Sequence, residues 1–314
     1  SHPVQIGNAG LAEYWGPAPR VGSIKGALRY DGTAWLWGSN QDMGSVGDNT
    51  VINRSSPVQI AGSWACIAPG SQSFGIKTDG TLWAWGEGYQ GALGINVGFP
   101  YRSSPVQVGA GNTWETVYSN ANSSGWALKR DKTLYAWGFN GYGYFGLGDT
   151  IHRSSPVQIA GSWERISVGG GYSILGIKVG STLWAWGSNS YGLIGDNSNV
   201  SGRSSPVQLA GTTWVRTASS GTANAALKSD GTLWVWGRGR DTGLNTTINK
   251  SSPVQLSGTW SDISSTGYGF IGKKSDGTFW AWGTASNGVA AQGISDTTLY
   301  LSLIHISEPT RPER

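Results

Sequence analysis

The residues in this sequence that could serve the widest range of chemical roles are tryptophans, which recur in closely spaced pairs. Six segments carry an aromatic-x-Trp-Gly motif, as in "TLWAWG" at residues 81–86. Rings at this spacing could stack a ligand, act as a chromophore or fill the inside of a fold. Because side chains alternate along a strand, Trp83 and Trp85 are predicted to point to one face, and Leu82 and Ala84 to the other.

Residues suited to acid–base, metal or cofactor chemistry are sparse. The three histidines are His2, His152 and His305, and the single cysteine is Cys66. So few residues supply no Ser, His and acid set for nucleophilic catalysis and no cysteine-rich metal cluster. The sequence therefore predicts a protein that is not an enzyme and uses no cofactor or metal.

Two stretches match ligand-binding motifs by letter only. "GYGYFG" at residues 141–146 has the dinucleotide-binding spacing, but it opens no helix whose dipole would hold a pyrophosphate. "DNSNVSG" at residues 196–202 lacks the later glutamate of a calcium loop. We therefore assign neither stretch a ligand.

The composition indicates short strands and tight turns. The 314 residues include 50 glycines and 18 tryptophans, and only 13% are charged. Glycine is poor in helix interiors, whereas aromatic residues favour strands. Gly, Ser or Asn interrupts each apolar run before it reaches the length of a membrane span, so no span is predicted.

Two motifs, Pro-Val-Gln and aromatic-x-Trp-Gly, each occur six times in step and define six repeat units. In the third unit the strand patterns are "SPVQV", "TWETV", "WALK" and "KTLYAWG", in that order, and several units carry Asp-Gly before the last pattern. Four short strands separated by turn signals predict a four-stranded antiparallel sheet, and Asp-Gly predicts a tight hairpin. Such small sheets must pack on each other, which favours a β-propeller over a β-solenoid. The units start near residues 3, 57, 105, 156, 206 and 253.

The repeat also suggests what the tryptophans do. A ring that returns once per blade is most simply explained by the packing of blade on blade. A second set stands in the second strand pattern and comprises Trp64, Trp114, Trp163, Trp214 and Trp260. The structural aromatics of the paired motif are Trp35, Trp37, Trp83, Trp85, Trp137, Trp184, Trp186, Trp234, Trp236, Trp280 and Trp282.

Two long stretches carry a family resemblance. "GIKTDGTLWAWG" at residues 75–86 and "ALKSDGTLWVWG" at 226–237, each followed by a Gly-rich loop and Ser-Pro-Val, resemble the repeat of the regulator of chromosome condensation family. The pattern of the repeat is similar to that of bacterial and viral members, which include the propeller-type β-lactamase inhibitory protein. The resemblance covers residues 1 to about 300 and implies a seven-bladed ring, of which six units would be a fragment.

Functions within this family differ, and the fold does not choose among them. The eukaryotic founder is a nucleotide exchange factor for the GTPase Ran, so a GTPase regulator is one alternative. The histidine that its repeats often carry before the third strand is absent here. The plant ultraviolet-B photoreceptor also belongs to the family, but its Gly-Trp-Arg-His-Thr signature is missing, because Ala127 follows Trp126.

The loops after each Trp-Gly vary most between units. We therefore predict that one face binds a protein or cell-surface partner through loop residues; glycan binding would use the same aromatic rings. Nucleic-acid binding is disfavoured because half of the basic residues repeat with the units, many of them near turn aspartates. A secreted, cell-surface or viral location is favoured. The candidate contact residues are Tyr89, Phe139, Tyr142, Tyr144, Phe145, Tyr191, Arg238, Arg240 and Asp241.

The end of the chain departs from the repeat. "LSLIHISEPTR" at residues 301–311 has no counterpart in the other units and reads as an in-frame translation of a transposase-based sequencing adapter. The propeller is therefore predicted to span residues 1–300. Residues 301–314 are predicted to be a non-native tail that lies outside the blades.

Overall fold

The architecture is a succession of six antiparallel β-propeller blades. The computed structural model describes residues 24–41, 43–97, 101–120, 123–170, 173–267, 269–284 and 299–306. Within them the regular elements are strands and three short 3-10 turns, at Tyr89–Gly91, Ser190–Gly192 and Gly239–Asp241. The all-β class and the four-stranded antiparallel blades predicted from the repeat are confirmed.

Each blade is a meander in which strands pair in chain order. The first sheet has three described strands, β1 (Ile24–Leu28), β2 (Ala34–Gly38) and β3 (Arg54–Ile60). The second blade holds β4 (Trp64–Ala68), β5 (Gln72–Lys77), β6 (Leu82–Gly86) and β7 (Arg102–Gln107). The third holds β8 (Trp114–Ser119), β9 (Ser124–Lys129), β10 (Thr133–Gly138) and the first half of β11 (Arg153–Val168).

The second half of β11 opens the fourth blade, so the third and fourth blades form one seven-stranded sheet. The fourth blade continues with β12 (Ser173–Lys178), β13 (Thr182–Ser188) and β14 (Gly202–Gln208). The fifth holds β15 (Trp214–Ser219), β16 (Ala223–Lys228), β17 (Leu233–Gly237) and β18 (Lys250–Leu256). The sixth holds β19 (Trp260–Ser265), β20 (Gly269–Lys274), β21 (Phe279–Thr284) and β22 (Leu299–Ile306).

Blades are offset by one strand from the predicted repeat units. The "SPVQ" strand, predicted to open a sheet, closes the blade that the previous unit began: Trp83 in β6 lies opposite Gln107 in β7. Its position as the last strand has a physical reason. Proline lacks a backbone N–H and is tolerated mainly on strands with a free edge.

Residues 299–306 supply the closing strand of the sixth blade. β22 pairs with β21 and places His305 opposite Trp280, the register position that glutamine occupies in "SPVQ" strands. The prediction that the tail lies outside the blades is therefore wrong for residues 301–306, because "LYLSLIHI" has the composition and alternation of a strand. Residues 307–314 lie outside the described residues, and a foreign origin of the tail and a native seven-bladed ring stay predictions.

From the second blade to the fifth, a tryptophan near the end of the third strand joins the blade to the one before it. Trp186 in β13 is fully buried and packs against Trp163 with ring centroids 5.2 Å apart. Its indole N–H donates to the backbone carbonyl of Tyr144 in the preceding blade at 2.6 Å. The same bond to the preceding blade is made by Trp85, Trp137 and Trp236. Each ring thus fills the space between two blades while its polar group is satisfied.

A glycine on the second strand makes room for the tryptophan of the first strand. At Gly176 in β12, an added Cβ would stand 2.5 Å from the ring of Trp163, closer than side chains pack. Gly75 and Gly272 lie in the same relation to Trp64 and Trp260. Glycine inside these strands therefore follows from the size of the neighbouring indole.

The other tryptophan of each pair lies near the hairpin turn and is half-buried. In the second blade Asp79 accepts bonds from the backbone N–H and hydroxyl of Thr81, at 3.0 and 2.6 Å. The Thr81 hydroxyl in turn accepts the indole N–H of Trp83 at 2.8 Å, and Lys77 Nζ lies 3.5 Å from the centroid of that ring. The relay recurs at the turns that begin with Asp31, Asp230 and Asp276.

Candidate functional site

The blades have two ends, which differ in their connections. In an antiparallel meander, alternate connections lie at opposite ends. We call the end with the short turns between second and third strands the hairpin face. We call the opposite end the loop face, where long loops join third to fourth strands at residues 39–53, 87–101, 139–152, 189–201 and 238–249. The predicted contact residues all lie in or beside these loops.

Long loops of three blades fold around a buried asparagine. The side-chain oxygen of Asn140 accepts the N–H of Phe145 at 3.0 Å, and its NH2 group donates to the carbonyl of Asp149 at 3.1 Å. Asn40 and Asn189 bridge their own loops in the same way. Because these amides satisfy backbone groups across the loop, they set its path.

Loop tips bond to the fourth strand of the next blade. The N–H of Asn197 donates to the carbonyl of Ser251 at 2.8 Å, and the Ser251 hydroxyl donates to the Asn197 side chain at 2.9 Å. The approach is close at Gly143, where φ is +73° and a Cβ would stand 2.7 Å from the Cα of Ser204. The same backbone bond joins Asn49 to Ser103, Asn96 to Ser154, and Gly148 to Ser204. Loop position is thus fixed by blade packing.

Ion pairs tie three of these loops to the strands that follow them. Arg153 pairs with Asp149 at 2.7 Å. The backbone N–H of Ile151 and then the Arg153 guanidinium hold the pKa of Asp149 below its usual value. Equivalent pairs are Arg54 with Asp48 and Arg203 with Asp196. This repeating basic position therefore serves loop structure in these blades.

Large hydrophobic side chains are exposed mostly on the loop face. Of fourteen exposed Val, Ile, Met, Phe and Tyr side chains in the described residues, eleven lie in its loops. The other three, Tyr30, Val179 and Phe279, lie at or beside hairpin turns. The eleven are Met43, Val51, Ile52, Tyr89, Val97, Tyr101, Tyr142, Ile151, Tyr191, Val200 and Ile248. Exposed apolar surface gathered on one face marks an interaction site.

Three exposed tyrosines, Tyr89, Tyr142 and Tyr191, form what we call the tyrosine arc, one in each of the second, third and fourth blades. Tyr142 stacks on the ring of Tyr144, with centroids 5.5 Å apart and planes 26° from parallel. Tyr191 has a φ of +61°, rare for a bulky residue, and the Arg238 guanidinium carbon lies 5.5 Å from its ring centroid. Both rings are therefore held in place before any partner binds.

Three of the predicted contact residues are wrong because they are buried. Tyr144 and Phe145 are fully buried between the third and fourth blades, where Phe145 packs edge-on to Trp126. Asp241 is also fully buried, accepts the hydroxyl of Thr222 and lies 3.9 Å from Arg238. Phe139, Arg238 and Arg240 are partly buried, and the tyrosine arc is exposed.

The aliphatic residues that precede four of the fourth strands were not among the contact residues predicted from the sequence. Ile52, Ile151, Val200 and Ile248, here called the aliphatic tips, are all exposed. The available signal was an aliphatic residue two or three places before the basic residue of "RSSP" or "KSSP". His152, beside one tip, accepts the backbone N–H of Asn140 at its Nδ1, 3.0 Å away, as Asn53 does for Asn40.

Within the described residues, no group of three or more His, Cys, Asp or Glu side chains is placed to hold a metal ion. The same residues contain no helix that is long and apolar enough to cross a membrane.

Comparisons with known proteins agree on one repeat type and one fold. The model of the regulator of chromosome condensation (RCC1) repeat matches residues 131–175. Human WBSCR16 superposes with a TM-score of 0.79 at 18% identity, covering 93% of this chain and 81% of its own. A search of curated protein sequences found no match.

Two yeast structures are also similar. Prp20p from Saccharomyces cerevisiae superposes with a TM-score of 0.75 at 18% identity, covering 91% of this chain and 75% of its own. Yeast RCC1 (Prp20) in its complex with Kap60 superposes with a TM-score of 0.73 at 17% identity, covering 92% of this chain and 74% of its own. The residues that the repeat model matches run from the third unit into the fourth, so an RCC1-type repeat is shown for this part of the chain, and the structures show the shared fold.

Proposed function

We propose that this chain is a non-enzymatic β-propeller that binds a protein partner through its loop face, with the tyrosine arc as anchor. The observation that carries the proposal is the concentration of exposed hydrophobic side chains on that face. Tyrosine is enriched at the centres of protein interfaces because it combines a large apolar area with few rotatable bonds.

The rigidity of the arc adds support. Tyr142 rests on Tyr144, and Tyr191 is flanked by Arg238, so little side-chain entropy remains to be lost on binding. Proteins of the same fold bind proteins: the Prp20p structure was described with its binding to Gsp1p and histones, and yeast RCC1 with Kap60 bound.

Site-specific photocrosslinking tests the proposal. A benzophenone amino acid at position 142 should crosslink to a partner in cell extract, whereas the same group at Tyr30 on the hairpin face should not. With the captured protein purified, the variant Tyr89→Ser/Tyr142→Ser/Tyr191→Ser should weaken binding at least about tenfold. Tyr30→Ser is the matched control. Equal crosslinking from both faces, or unchanged affinity of the triple variant, contradicts the proposal.

Regulation of a GTPase by nucleotide exchange is the second candidate, favoured by the repeat and by the fold shared with Prp20p. Its test is release of labelled guanine nucleotide from candidate GTPases. If the wild-type chain stimulates release from a candidate GTPase and the triple tyrosine variant does not, that GTPase is the partner of the loop face. A flat response would remove this candidate and leave the more general proposal standing.

A further inference from the structure

The aliphatic tips form a second set of exposed side chains on the loop face. Ile52, Ile151 and Ile248 are 61%, 62% and 69% exposed, and each rises from a different blade. Hot spots for folded partners sit in well-packed pockets, which separate protruding tips do not offer. Protruding aliphatic side chains can instead each enter a fluid lipid layer, where no matching cavity is needed.

The acidic groups of the loop face are neutralised or withdrawn from its surface. Asp149 is ion-paired, Asp241 is fully buried, and Glu87 is partly buried, with its pKa raised by that burial. The same pairing with an outer-strand arginine holds Asp48 and Asp196. Few carboxylates in the described loops are therefore available to repel an anionic surface.

Three cations of the same face have no such pairing. Ile95 and Leu244 follow the loop glycine at the position that Asp48 and Asp196 hold in other blades. Within the residues that the structure describes, Arg102, Arg240 and Lys250 have no carboxylate within 4.0 Å. The loop face thus combines protruding aliphatic groups with unneutralised positive charge, the pair of features that suits a surface of anionic lipid.

We propose that the loop face docks on an anionic lipid bilayer. The aliphatic tips enter the boundary between headgroups and acyl chains, and Arg102, Arg240 and Lys250 lie among the headgroups. Tyrosine favours this boundary, so the tyrosine arc is compatible with the docked state. This activity goes beyond the proposed function, because its ligand is a lipid surface and its anchors are different residues.

Vesicle flotation tests the proposal with defined lipids. The wild-type chain should float with vesicles of phosphatidylcholine and phosphatidylglycerol, and far less with phosphatidylcholine alone or at high salt. Ile52→Ser/Ile151→Ser/Ile248→Ser should reduce binding at least about tenfold. Lys250→Gln should reduce it about fivefold and flatten the salt dependence. Val179→Ser, which removes an exposed aliphatic group from the hairpin face, is the matched control.

A fluorescent label reports the orientation directly. Cys66 is buried and burial raises the pKa of its thiol, so an added surface cysteine can be labelled selectively. An environment-sensitive dye at Ile151→Cys should shift to the blue and brighten with anionic vesicles, and the dye at Val179→Cys should not.

Two outcomes overturn the lipid proposal: no flotation of the wild type, or equal losses for the tip and control variants. Vesicle binding that fails while the tyrosine arc still captures a protein leaves the proposed function intact. Vesicle binding without any capture of a protein supports the lipid proposal and contradicts the proposed function.

Discussion

The hairpin face and the loop face are built from the same repeat but differ in what they repeat. On the hairpin face, four blades reuse Asp-Gly-Thr with the same bonds. At the third blade's turn, Lys132 lies 3.6 Å from Glu115 of its own blade and 3.5 Å from Glu164 of the next. On the loop face, a buried asparagine and an Arg–Asp pair recur in three blades, while many of the other loop residues differ from blade to blade.

This difference separates scaffold from binding surface within a single loop. Asn140 and Asp149 recur in kind and fix the third loop, whereas the side chain of Tyr142, between them, is exposed. In a repeat protein, identity across units therefore marks packing. Hydrophobic side chains that such a fixed loop leaves exposed mark contact with a partner.

The largest expected effect contrasts the two tryptophans of one pair. Trp186→Ala empties a fully buried site between blades and should lower the free energy of unfolding by about 3–5 kcal/mol. Trp184→Ala removes a half-buried ring covered by Lys178 and should cost less than half of that. Urea denaturation measures both. Equal losses would mean that the hairpin end holds the blades together as firmly as the space between them.

A smaller effect separates the two kinds of loop residue. Asn140→Ala leaves the N–H of Phe145 without its acceptor in a buried setting and should cost about 2–3 kcal/mol. Tyr142→Ser, two residues away, should change stability by less than about 1 kcal/mol. Thermal unfolding and limited proteolysis of residues 139–152 measure the difference. A loop that stays protected in Asn140→Ala would contradict the scaffold role.

Acid should weaken the hairpin face. Bonds from Thr81 and Thr133, first of all those from their hydroxyls, hold the pKa values of Asp79 and Asp131 below the usual range. A carboxylate whose pKa is lower in the folded than in the unfolded chain stabilises the fold at pH values above its unfolded pKa of about 4. This stabilisation is lost as the pH falls through the folded pKa. Asp79→Asn/Asp131→Asn should therefore be less stable at pH 7 and lose less stability on acidification. Parallel pH profiles of the variant and the wild type would refute this.

Much of the scaffold could be predicted from sequence, because the repeat puts the same residue types at the same strand positions. The blade boundary could not be predicted, since chain order does not say whether "SPVQ" pairs forwards or backwards. Tyr144 and Phe145 were misassigned because a run of aromatic residues gives no period inside a loop, where Gly143 turns the chain inward. Ile151 was missed because exposure depends on the folded loop.

The smallest expected effect concerns one loop-face residue, Glu87, whose pKa shift is opposite in sign to that of the hairpin aspartates. Burial raises the pKa of Glu87, so the fold disfavours its charged form at neutral pH. Glu87→Gln should therefore stabilise the chain slightly at pH 7, by less than about 0.5 kcal/mol. As pH falls through the raised pKa, Glu87 takes up a proton in the folded state and the advantage of glutamine disappears. Urea midpoints of both proteins across pH 7 to 4 measure this, with Asp79→Asn in the same blade as the control of opposite sign. A Glu87→Gln variant that is less stable at pH 7 would mean that the carboxylate is held by a favourable contact, and the loop face would then carry an acidic group that its lipid and protein ligands must accommodate.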